Sequence, residues 1–173
     1  KDNIDQALEE FIQCMNDAGL LYCRHKNRNA KMIMPVGTIK HTCLVPQTMW
    51  NGVLALEEKC PCLIIDIRGL RGFSARQITE TLKPSWPALR CANISFPNTD
   101  HLEEVYTEPM AGALSLSENR KALSQIVKPL VKKAHMVGFP AIFGIKDSVH
   151  IYQDLQEMIG VPIFEIPTMP PSI

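Results

Sequence analysis

The amino-terminal residues carry apolar side chains at intervals of three and four, which is the spacing of one face of an α-helix. Six positions make up this stripe: Ile4, Ala7, Leu8, Phe11, Ile12 and Met15. Gly19 follows the stripe, and glycine commonly ends helices in the left-handed conformation. The pattern therefore predicts an amphipathic helix that ends at Gly19.

The next segment changes to short runs of strand length. Residues 20–25 and 30–36 lie on either side of a polar turn, and Gly37 separates them from a third run over residues 38–45. We expect these runs to form a small antiparallel sheet. Residues 46–59 have no clear period and predict a loop or a short helix.

From Cys60 onward, apolar runs of strand length alternate with helical patterns. The predicted strands cover 63–67, 89–96, 138–145 and 161–166, and the predicted helices cover 74–84, 100–110, 117–135 and 148–160. Such alternation is typical of right-handed βαβ units. The sequence thus predicts an α/β fold with three layers and a mostly parallel sheet, plus the amino-terminal helix and the small antiparallel region. We divide it into residues 1–59 and the alternating core 60–173.

The charge balance argues against a nucleic-acid partner, and the length of the apolar runs argues against a membrane span. Eighteen basic and eighteen acidic residues give no formal net charge, which argues against a dedicated nucleic-acid-binding protein. The longest apolar run, 136–145, is too short to span a bilayer and contains Pro140. Five basic residues nevertheless fall in a stretch without acidic residues between Asp17 and Glu57: Arg24, Lys26, Arg28, Lys31 and Lys40. This stretch is either a solvated face or a surface for an anionic ligand or acidic partner.

The cysteines indicate a reducing compartment. All six are scattered, mostly within apolar stretches: Cys14, Cys23, Cys43, Cys60, Cys62 and Cys91. Such spacing is typical of reduced thiols in a cytoplasmic protein. Cys60 and Cys62 could meet one metal ion only with two further ligands, such as His25 and His41, so the sequence predicts no metal site.

Candidate chemistry is expected beyond the carboxyl ends of the parallel strands, where ligands of such sheets bind. Three loops occupy such positions: 68–73, 146–148 and 167–172. The first contains Gly69 and Gly72 and leads into a helix, whose amino-terminal N–H groups favour an anion. Arg68 and Arg71 would assist, although a tight turn without any ligand also explains the glycines.

Two further features have alternative explanations. Asp66 lies in an apolar strand, where it is either a functional carboxylate or a cap for a neighbouring loop. The run from Pro167 to Ser172 contains successive prolines, which cannot continue a strand or enter a helix. It is either a stiff exit loop or a rigid wall that brings the Thr168 and Ser172 hydroxyls to a ligand. No histidine is identified as a general base.

The carboxyl-terminal segment resembles a known family. Ile163–Ile173 is similar to the signature of the B subunits of anaerobic glycerol-3-phosphate dehydrogenases, which reads leucine or isoleucine followed by Pro-Thr-Leu-Pro-Pro-Ser-Val. Residues 139–145, 67–73 and 37–42 are similar to three further family segments, with Gly72 where the family has aspartate. The resemblance covers nearly the whole chain in order.

This resemblance implies a flavoprotein, with FAD or FMN, that oxidises sn-glycerol 3-phosphate to dihydroxyacetone phosphate. Electrons would pass through an iron–sulfur subunit to membrane quinone in anaerobic respiration. The family's dinucleotide-binding glycine fingerprint is absent here, so the resemblance implies a cap or substrate domain within a longer chain. Expected partners are the flavin domain of the same chain and the catalytic and iron–sulfur subunits. We expect a cytoplasmic location, with any attachment to the inner membrane made through a partner subunit.

The resemblance also suggests site residues. Those expected to face flavin are Gly37, Thr38, Thr42, Thr168, Pro170, Pro171 and Ser172, and those expected to bind a phosphorylated substrate are Lys40, Arg68, Gly69 and Arg71. This segment alone is expected to hold no flavin and to be inactive, and no catalytic base is assigned. Two alternatives remain open: a module that docks a flavoprotein to a redox partner, and an independent α/β ligand-binding domain.

Overall fold

The computed structural model describes residues 2–169, and the side chains of residues 4–169. The helices are α1 (Asp2–Asp17), α2 (Gln47–Glu58), α3 (Ala75–Leu82), α4 (Thr107–Leu114), α5 (Ser117–Val131) and α6 (Ser148–Ile159). The strands are β1 (Tyr22–Cys23), β2 (Ala30–Ile33), β3 (Ile39–Thr42), β4 (Val45–Pro46), β5 (Cys62–Ile67), β6 (Leu89–Ile94), β7 (Met136–Pro140) and β8 (Ile163–Ile166). Within the described residues, no helix is long and apolar enough to cross a membrane.

The main sheet has four parallel strands in the order β6-β5-β7-β8. Its central strands are apolar because helices cover both faces, as in other parallel sheets. Two antiparallel pairs, β1 with β4 and β2 with β3, lie outside this sheet. The predicted α/β class, with a mostly parallel sheet and a small antiparallel region, is therefore confirmed.

The order of connections creates a reversal in the middle of the sheet. The connection from β5 through α3 to β6 runs toward one edge, whereas those to β7 and β8 run toward the other. Because βαβ crossovers are right-handed in nearly all proteins, this order places α3 on one face of the sheet and α5 and α6 on the opposite face. Ligands of doubly wound sheets bind outside the carboxyl ends of the strands at such a reversal, here between β5 and β7.

The core is held together by close packing around Phe164 on β8. A Cβ atom added at Gly52 on α2 would lie 2.6 Å from this ring, and one added at Gly138 on β7 would lie 2.8 Å from it. Glycine at both positions lets α2 and β7 approach the ring directly. Ile33 and Leu56 belong to the same buried cluster as the parallel strands, so the first 59 residues share their core with the remainder.

Several predicted boundaries are wrong. The helix predicted over 100–110 lies at Thr107–Leu114, and the one predicted to reach residue 135 ends at Val131. The strand predicted over 138–145 ends at Pro140, and the next residues form a loop. Ile142 and Phe143 are fully buried in that loop, so their apolar character reports burial rather than strand structure.

The amphipathic helix α1 is confirmed, but its apolar stripe is not buried in the described structure. Ile4 is 68% exposed and Phe11 is 46% exposed. Phe11 has an aromatic neighbour in Tyr22, with ring centroids 6.2 Å apart. Gly19 has the expected left-handed conformation, with φ of 78°.

Candidate functional site

Three loops meet at the carboxyl edge of the parallel sheet. The Met169 N–H donates to the Gly72 carbonyl over 2.8 Å, and the Val105 N–H donates to the Gly69 carbonyl over 3.0 Å. These bonds join the segments that follow β8 and β6 to the turn that follows β5. Since β7 lies between β5 and β8 in the sheet, the exit segment 167–169 crosses the end of β7 to reach Gly72.

A cleft of about 280 Å³ opens between these loops. We call it the Arg71 cleft, and its lining residues are Leu70, Arg71, Val105, Tyr106, Thr107, Thr168 and Met169. The structure thus brings together two residues predicted from the sequence, Arg71 and Thr168. They come from loops that follow different strands, which is typical of binding sites in α/β sheets.

The exposed guanidinium of Arg71 forms an ion pair with Glu104. The Tyr106 hydroxyl donates a hydrogen bond of 2.8 Å to the other oxygen of Glu104. The hydrogen bond from Tyr106, followed by the contact with Arg71, lowers the pKa of Glu104. Arg71 is therefore already paired with a carboxylate of the protein, which a substrate phosphate would have to displace.

The turn after β5 is filled by the protein's own atoms. The Ala75 N–H donates to the Asp66 carboxylate over 2.9 Å, and the Gln77 N–H donates to the Ser74 hydroxyl over 3.2 Å. A Cβ at Gly69 would lie 2.7 Å from the Glu103 carbonyl oxygen, and one at Gly72 would clash with that of Met169. Asp66 is thus a cap for α3, and burial raises the pKa of its carboxyl although hydrogen bonds from backbone N–H groups, that of Ala75 first, act in the opposite direction. The exposed side chains of Arg68 and Arg71 remain the phosphate candidates, and Gly69 stays a prediction.

The predicted residues of the β2–β3 hairpin lie elsewhere. Gly37 forms its tip, where an added Cβ would be 2.7 Å from Thr81 on α3. Lys40 is exposed and pairs with Met32 across the hairpin. The Thr42 hydroxyl donates to the Leu44 carbonyl over 2.9 Å, whereas Thr38 is exposed. The tip of the hairpin therefore contacts α3 and its strand β2 packs on α2, so the hairpin does not line the Arg71 cleft. Its contact with flavin stays a prediction. Pro170, Pro171 and Ser172 lie outside the described residues.

A second cavity, of about 350 Å³, lies near the ends of β7 and β8. We call it the Glu165 cavity. Its walls are mainly apolar and come from five places: residues 20–22, the start of α2, the loop after β7, the start of α6, and β8. Leu20, Leu21, Met49, Ile145 and Val149 make up the apolar part. Five polar side chains lie among them: Tyr22, Gln47, Thr48, Ser148 and Glu165.

Glu165 is the buried carboxyl of this cavity, with 5% of its surface exposed. Its Oε1 accepts a hydrogen bond of 2.7 Å from the Phe143 N–H. Burial raises the pKa of Glu165 to about 7, although hydrogen bonds from Phe143, Thr48 and Ile142 act in the opposite direction. The wall contains no lysine, arginine or histidine among the described residues, so no cation stabilises the carboxylate. The group is therefore poised to gain or lose a proton near neutral pH.

Gln47, another residue of the cavity wall, has a buried side-chain oxygen without a hydrogen-bond donor among the described residues. Its Oε1 is buried and accepts no hydrogen bond within residues 2–169. Leaving an acceptor buried and unsatisfied costs about 1–3 kcal/mol, so such an atom commonly indicates a missing donor. Sequence reasoning missed both residues. A single acid in the apolar run 163–166 was a usable signal for Glu165, whereas the state of Gln47 depends on tertiary packing.

The described cysteines form no metal-binding cluster. Across residues 2–169, no group of three His, Cys, Asp or Glu side chains is placed to hold a metal ion. Cys62 is buried, and burial raises the pKa of its thiol well above the usual range. The Cys60 carbonyl accepts a hydrogen bond of 2.8 Å from the Trp86 indole. These residues stabilise the amino end of β5.

Comparison with known proteins assigns the chain to a family. A family model described as "FAD binding domain" matches residues 1–173. The chain belongs to the FAD binding domain family. No solved structure matches this member of the family.

Three relatives are each named as the B subunit of an anaerobic glycerol-3-phosphate dehydrogenase. The protein of Mannheimia succiniciproducens is 24% identical over 100% of this chain, that of Haemophilus ducreyi is 28% identical over 96%, and that of Yersinia pestis is 25% identical over 98%. The chain spans only 40–42% of the length of these relatives. The resemblance found in the sequence is thereby confirmed.

The turn after β5 and the Glu165 cavity differ in which part of FAD they could hold. The turn after β5 does not fit a pyrophosphate, because Asp66 and Ser74 already accept the N–H groups at the start of α3. The Glu165 cavity has mainly apolar walls, which suit a flat heteroaromatic group such as a flavin ring. A flavin ring has an apolar end and a polar edge that carries an N–H group. This family member thus has residues suited to the ring rather than to the phosphates.

Proposed function

We propose that the chain is a cap or substrate segment of a flavin-dependent oxidoreductase that oxidises sn-glycerol 3-phosphate to dihydroxyacetone phosphate. The observation that carries this proposal is the match, over 96–100% of the chain, to relatives named as the B subunit of an anaerobic glycerol-3-phosphate dehydrogenase. The location of both cavities near the carboxyl ends of the parallel strands supports it.

The reaction removes two electrons and two protons from the C2 carbinol of glycerol 3-phosphate. A bound flavin supplies the two-electron acceptor for this oxidation. The chain would contribute the Arg71 cleft, where Arg71 exchanges Glu104 for the substrate phosphate and Thr168 offers a hydroxyl. The exit segment 167–169 would form one wall and limit access of water. We further propose that electrons leave through an iron–sulfur subunit to membrane quinone.

A second candidate is a module that docks a flavoprotein subunit to a redox partner. The exposed apolar stripe of α1 favours it, as do exposed cations among the five clustered in the sequence between residues 24 and 40. Two of the five clustered cations are neutralised, since Arg24 pairs with Glu9 and Arg28 pairs with Glu57. Lys26, Lys31 and Lys40 are exposed. If replacing these lysines abolished subunit association but preserved turnover with an artificial acceptor, docking would be the better description.

The deciding experiment uses the full-length protein, purified anaerobically with its partner subunits. Its visible absorption spectrum is recorded before and after addition of sn-glycerol 3-phosphate. We expect a bound flavin whose absorption bleaches on addition of substrate. A flavin that stays oxidised in the presence of glycerol 3-phosphate, yet is reduced by dithionite, would reject this substrate. Absence of flavin would reject the oxidoreductase assignment altogether.

A further inference from the structure

We propose that a cleft near the amino end of β5 binds a small anion with at least two negative charges, such as a phosphate monoester or pyrophosphate. We call it the Lys59 cleft. Its volume is about 460 Å³, and its lining residues are Arg28, Lys31, Ile39, His41, Leu56, Glu57 and Lys59. The Arg71 cleft lies beyond the opposite, carboxyl end of β5, where the ligands of such sheets bind. The inference therefore goes beyond the proposed function and concerns a ligand other than the substrate or the flavin.

The β2–β3 hairpin and the end of α2 bring the basic side chains of the cleft together. Lys31 on β2 and His41 on β3 are directly opposite each other in the register, so their side chains share one face of the hairpin. Lys59 directly follows α2 and lines the same cleft. Lys40 pairs with Met32 on the other face of the hairpin. The structure thus divides the basic stretch of the sequence and adds His41 and Lys59 to one part of it.

The carboxylate of the cleft is already engaged. Glu57 is the acid among the described lining residues, and it pairs with His25 over 3.1 Å and with Arg28 over 2.9 Å. Lys31 and Lys59 form no ion pair within residues 4–169. The lining therefore has a surplus of two positive charges even when its histidine is neutral, although the whole chain has no net charge. An anion with two charges would balance this surplus.

The two lysines also repel each other. Burial, followed by the charge of Lys31, lowers the pKa of Lys59. The Lys59 Nζ lies 5.3 Å from the centroid of the Trp86 ring, a cation–π contact that positions the ammonium group without neutralising it. Because a nearby like charge disfavours the protonated form, an anion in contact with both ammonium groups would relieve the repulsion.

The backbone of Lys59 supports a role in binding. Lys59 caps α2 with φ of 53° and ψ of 31°, the left-handed conformation that glycine most often supplies at the end of a helix. Other residues in this conformation cluster at functional sites, because the surrounding structure must maintain them. The carbonyl groups at the end of α2 favour one cation there. They do not explain why Lys31 and His41 face the same cleft.

The shape of the cleft favours a small molecule. Its volume is within the range of small-molecule sites, and Ile39 and Leu56 form an apolar part of its wall. A ligand with a single charge would leave one lysine without a counter-charge. A phosphate monoester or pyrophosphate has two or more charges and several acceptor oxygens, which both ammonium groups can contact. An acidic protein partner would need an extended basic face, whereas these cations converge within one recess.

The experiment uses the full-length protein, purified with its partner subunits and any bound flavin. All variants include Arg71→Gln, so that binding in the Arg71 cleft does not contribute. Affinity for pyrophosphate is measured by isothermal titration calorimetry near neutral pH without divalent cations. Lys31→Gln and Lys59→Gln should each weaken binding by roughly five- to tenfold, because each removes one charge-assisted hydrogen bond. Glu57→Gln should tighten binding by roughly threefold, because it removes a negative charge from the wall.

Lys121→Gln is the matched control. It removes the same charge from an exposed position of α5 and should leave the affinity for pyrophosphate unchanged. Acetate, which has a single charge, should not compete with pyrophosphate. Thermal unfolding gives a second measurement, because a ligand that binds the folded chain raises its melting temperature. Saturating pyrophosphate should raise the melting temperature of the Arg71→Gln protein but not that of a variant in which Lys31 and Lys59 are also replaced by glutamine.

Three results would overturn the proposal: no binding of pyrophosphate to the Arg71→Gln protein, affinity within twofold of it in both lysine variants, or an equal loss in Lys121→Gln. The last result would mean general attraction by charge. If pyrophosphate did not bind and replacing both lysines released a partner subunit, an acidic protein partner would replace the small anion. None of these measurements depends on reduction of a flavin by glycerol 3-phosphate, so the proposed function and the anion site can fail separately.

Discussion

The backbone N–H of Met169 donates to the carbonyl of Gly72, over 2.8 Å, and this bond fixes the exit of β8 against the turn after β5. The two residues are almost one hundred positions apart in the sequence. Their contact carries Thr168 into the Arg71 cleft. The geometry of the cleft therefore depends on how closely the two backbone segments approach.

Gly72→Ala should disrupt this approach. Gly72 has φ of 75°, a conformation that is costly for residues with a Cβ, and the added atom would clash with the Met169 carbonyl oxygen. We expect a loss of about 1–3 kcal/mol in the free energy of unfolding, measured by urea denaturation. Weaker binding of phosphate-bearing substrate should accompany it, because Thr168 would move.

Gly112→Ala is the matched control for that variant. Gly112 lies in α4, and an added Cβ would meet no atom within 4 Å. Replacing a glycine inside a helix with alanine should stabilise the chain by about 0.5–1 kcal/mol. Similar unfolding curves for the two variants would show that the contact between Gly72 and Met169 is not as close as described.

A buried ion pair should hold the two helices on one face of the sheet together. The Arg120 side chain on α5 is 7% exposed, and its Nε donates to Asp154 on α6 over 2.9 Å. Another guanidinium nitrogen donates to the Leu114 and Ser115 carbonyls. Asp154→Asn would leave this buried cation without a counter-charge, and we expect a loss of about 2–3 kcal/mol in the free energy of unfolding. The loss should be smaller than for a fully buried pair, because Asp154 itself is 28% exposed.

His150→Gln provides the comparison at the same carboxylate. His150 lies 3.9 Å from Asp154 and is 67% exposed, so its removal should change the unfolding free energy by less than about 0.5 kcal/mol. Both values come from chemical denaturation under identical conditions. Equal effects of the two substitutions would mean that Arg120 is solvated rather than buried against α6.

The sequence was most informative where one local rule determines one local structure. The apolar run 63–67 predicted a strand that is covered on both faces, and β5 occupies the interior of the sheet. Ser74 predicted the start of a helix, and its hydroxyl accepts the Gln77 N–H. Gly160 ends α6 in the left-handed conformation, as its position after the apolar stripe indicates. These features depend on neighbours within one turn or one strand.

Features that depend on distant partners could not be predicted in this way. Glu165 and Gln47 are 118 positions apart, and nothing in either local sequence indicates a shared cavity. Ile142 and Phe143 show the converse problem, because their apolar side chains fill the core from a loop. Ser115 is followed three residues later by Glu118, a pattern that predicts a capping box, and this prediction is wrong. Leu116 is the N-cap of α5, and the Ser115 hydroxyl donates to the Gly112 carbonyl instead.

Substitutions of the two partners in the ion pair between Arg71 and Glu104 should change KM in opposite directions. If the substrate phosphate displaces Glu104, then Glu104→Gln should lower KM for glycerol 3-phosphate and Arg71→Gln should raise it, each by roughly three- to tenfold. Steady-state kinetics of the full-length complex with an artificial acceptor measures both. Arg76→Gln, at an exposed position of α3, is the control for loss of a nearby positive charge. Changes in the same direction for both partners would contradict phosphate binding at Arg71.

Glu165 should make stability depend on pH in a way opposite to that of an ordinary salt-bridged acid. Its pKa is raised to about 7 in the folded chain, against 4.5 for an unperturbed glutamate. Between these values the folded chain binds the proton that the unfolded chain has released, so stability falls as pH rises. The stabilisation is complete below pH 4.5 and is lost as pH rises through about 7.

Glu165→Gln isolates this contribution, because the amide oxygen can still accept the Phe143 N–H and the side chain no longer titrates. The unfolding free energy of the wild type, minus that of the variant, should fall by roughly 3 kcal/mol between pH 4.5 and pH 8. Urea denaturation at half-unit intervals of pH measures this difference and cancels titrations elsewhere in the chain. Parallel curves would mean that the carboxyl has an ordinary pKa and is reached by solvent. A difference that grows with pH would mean that an unrecognised cation stabilises the carboxylate.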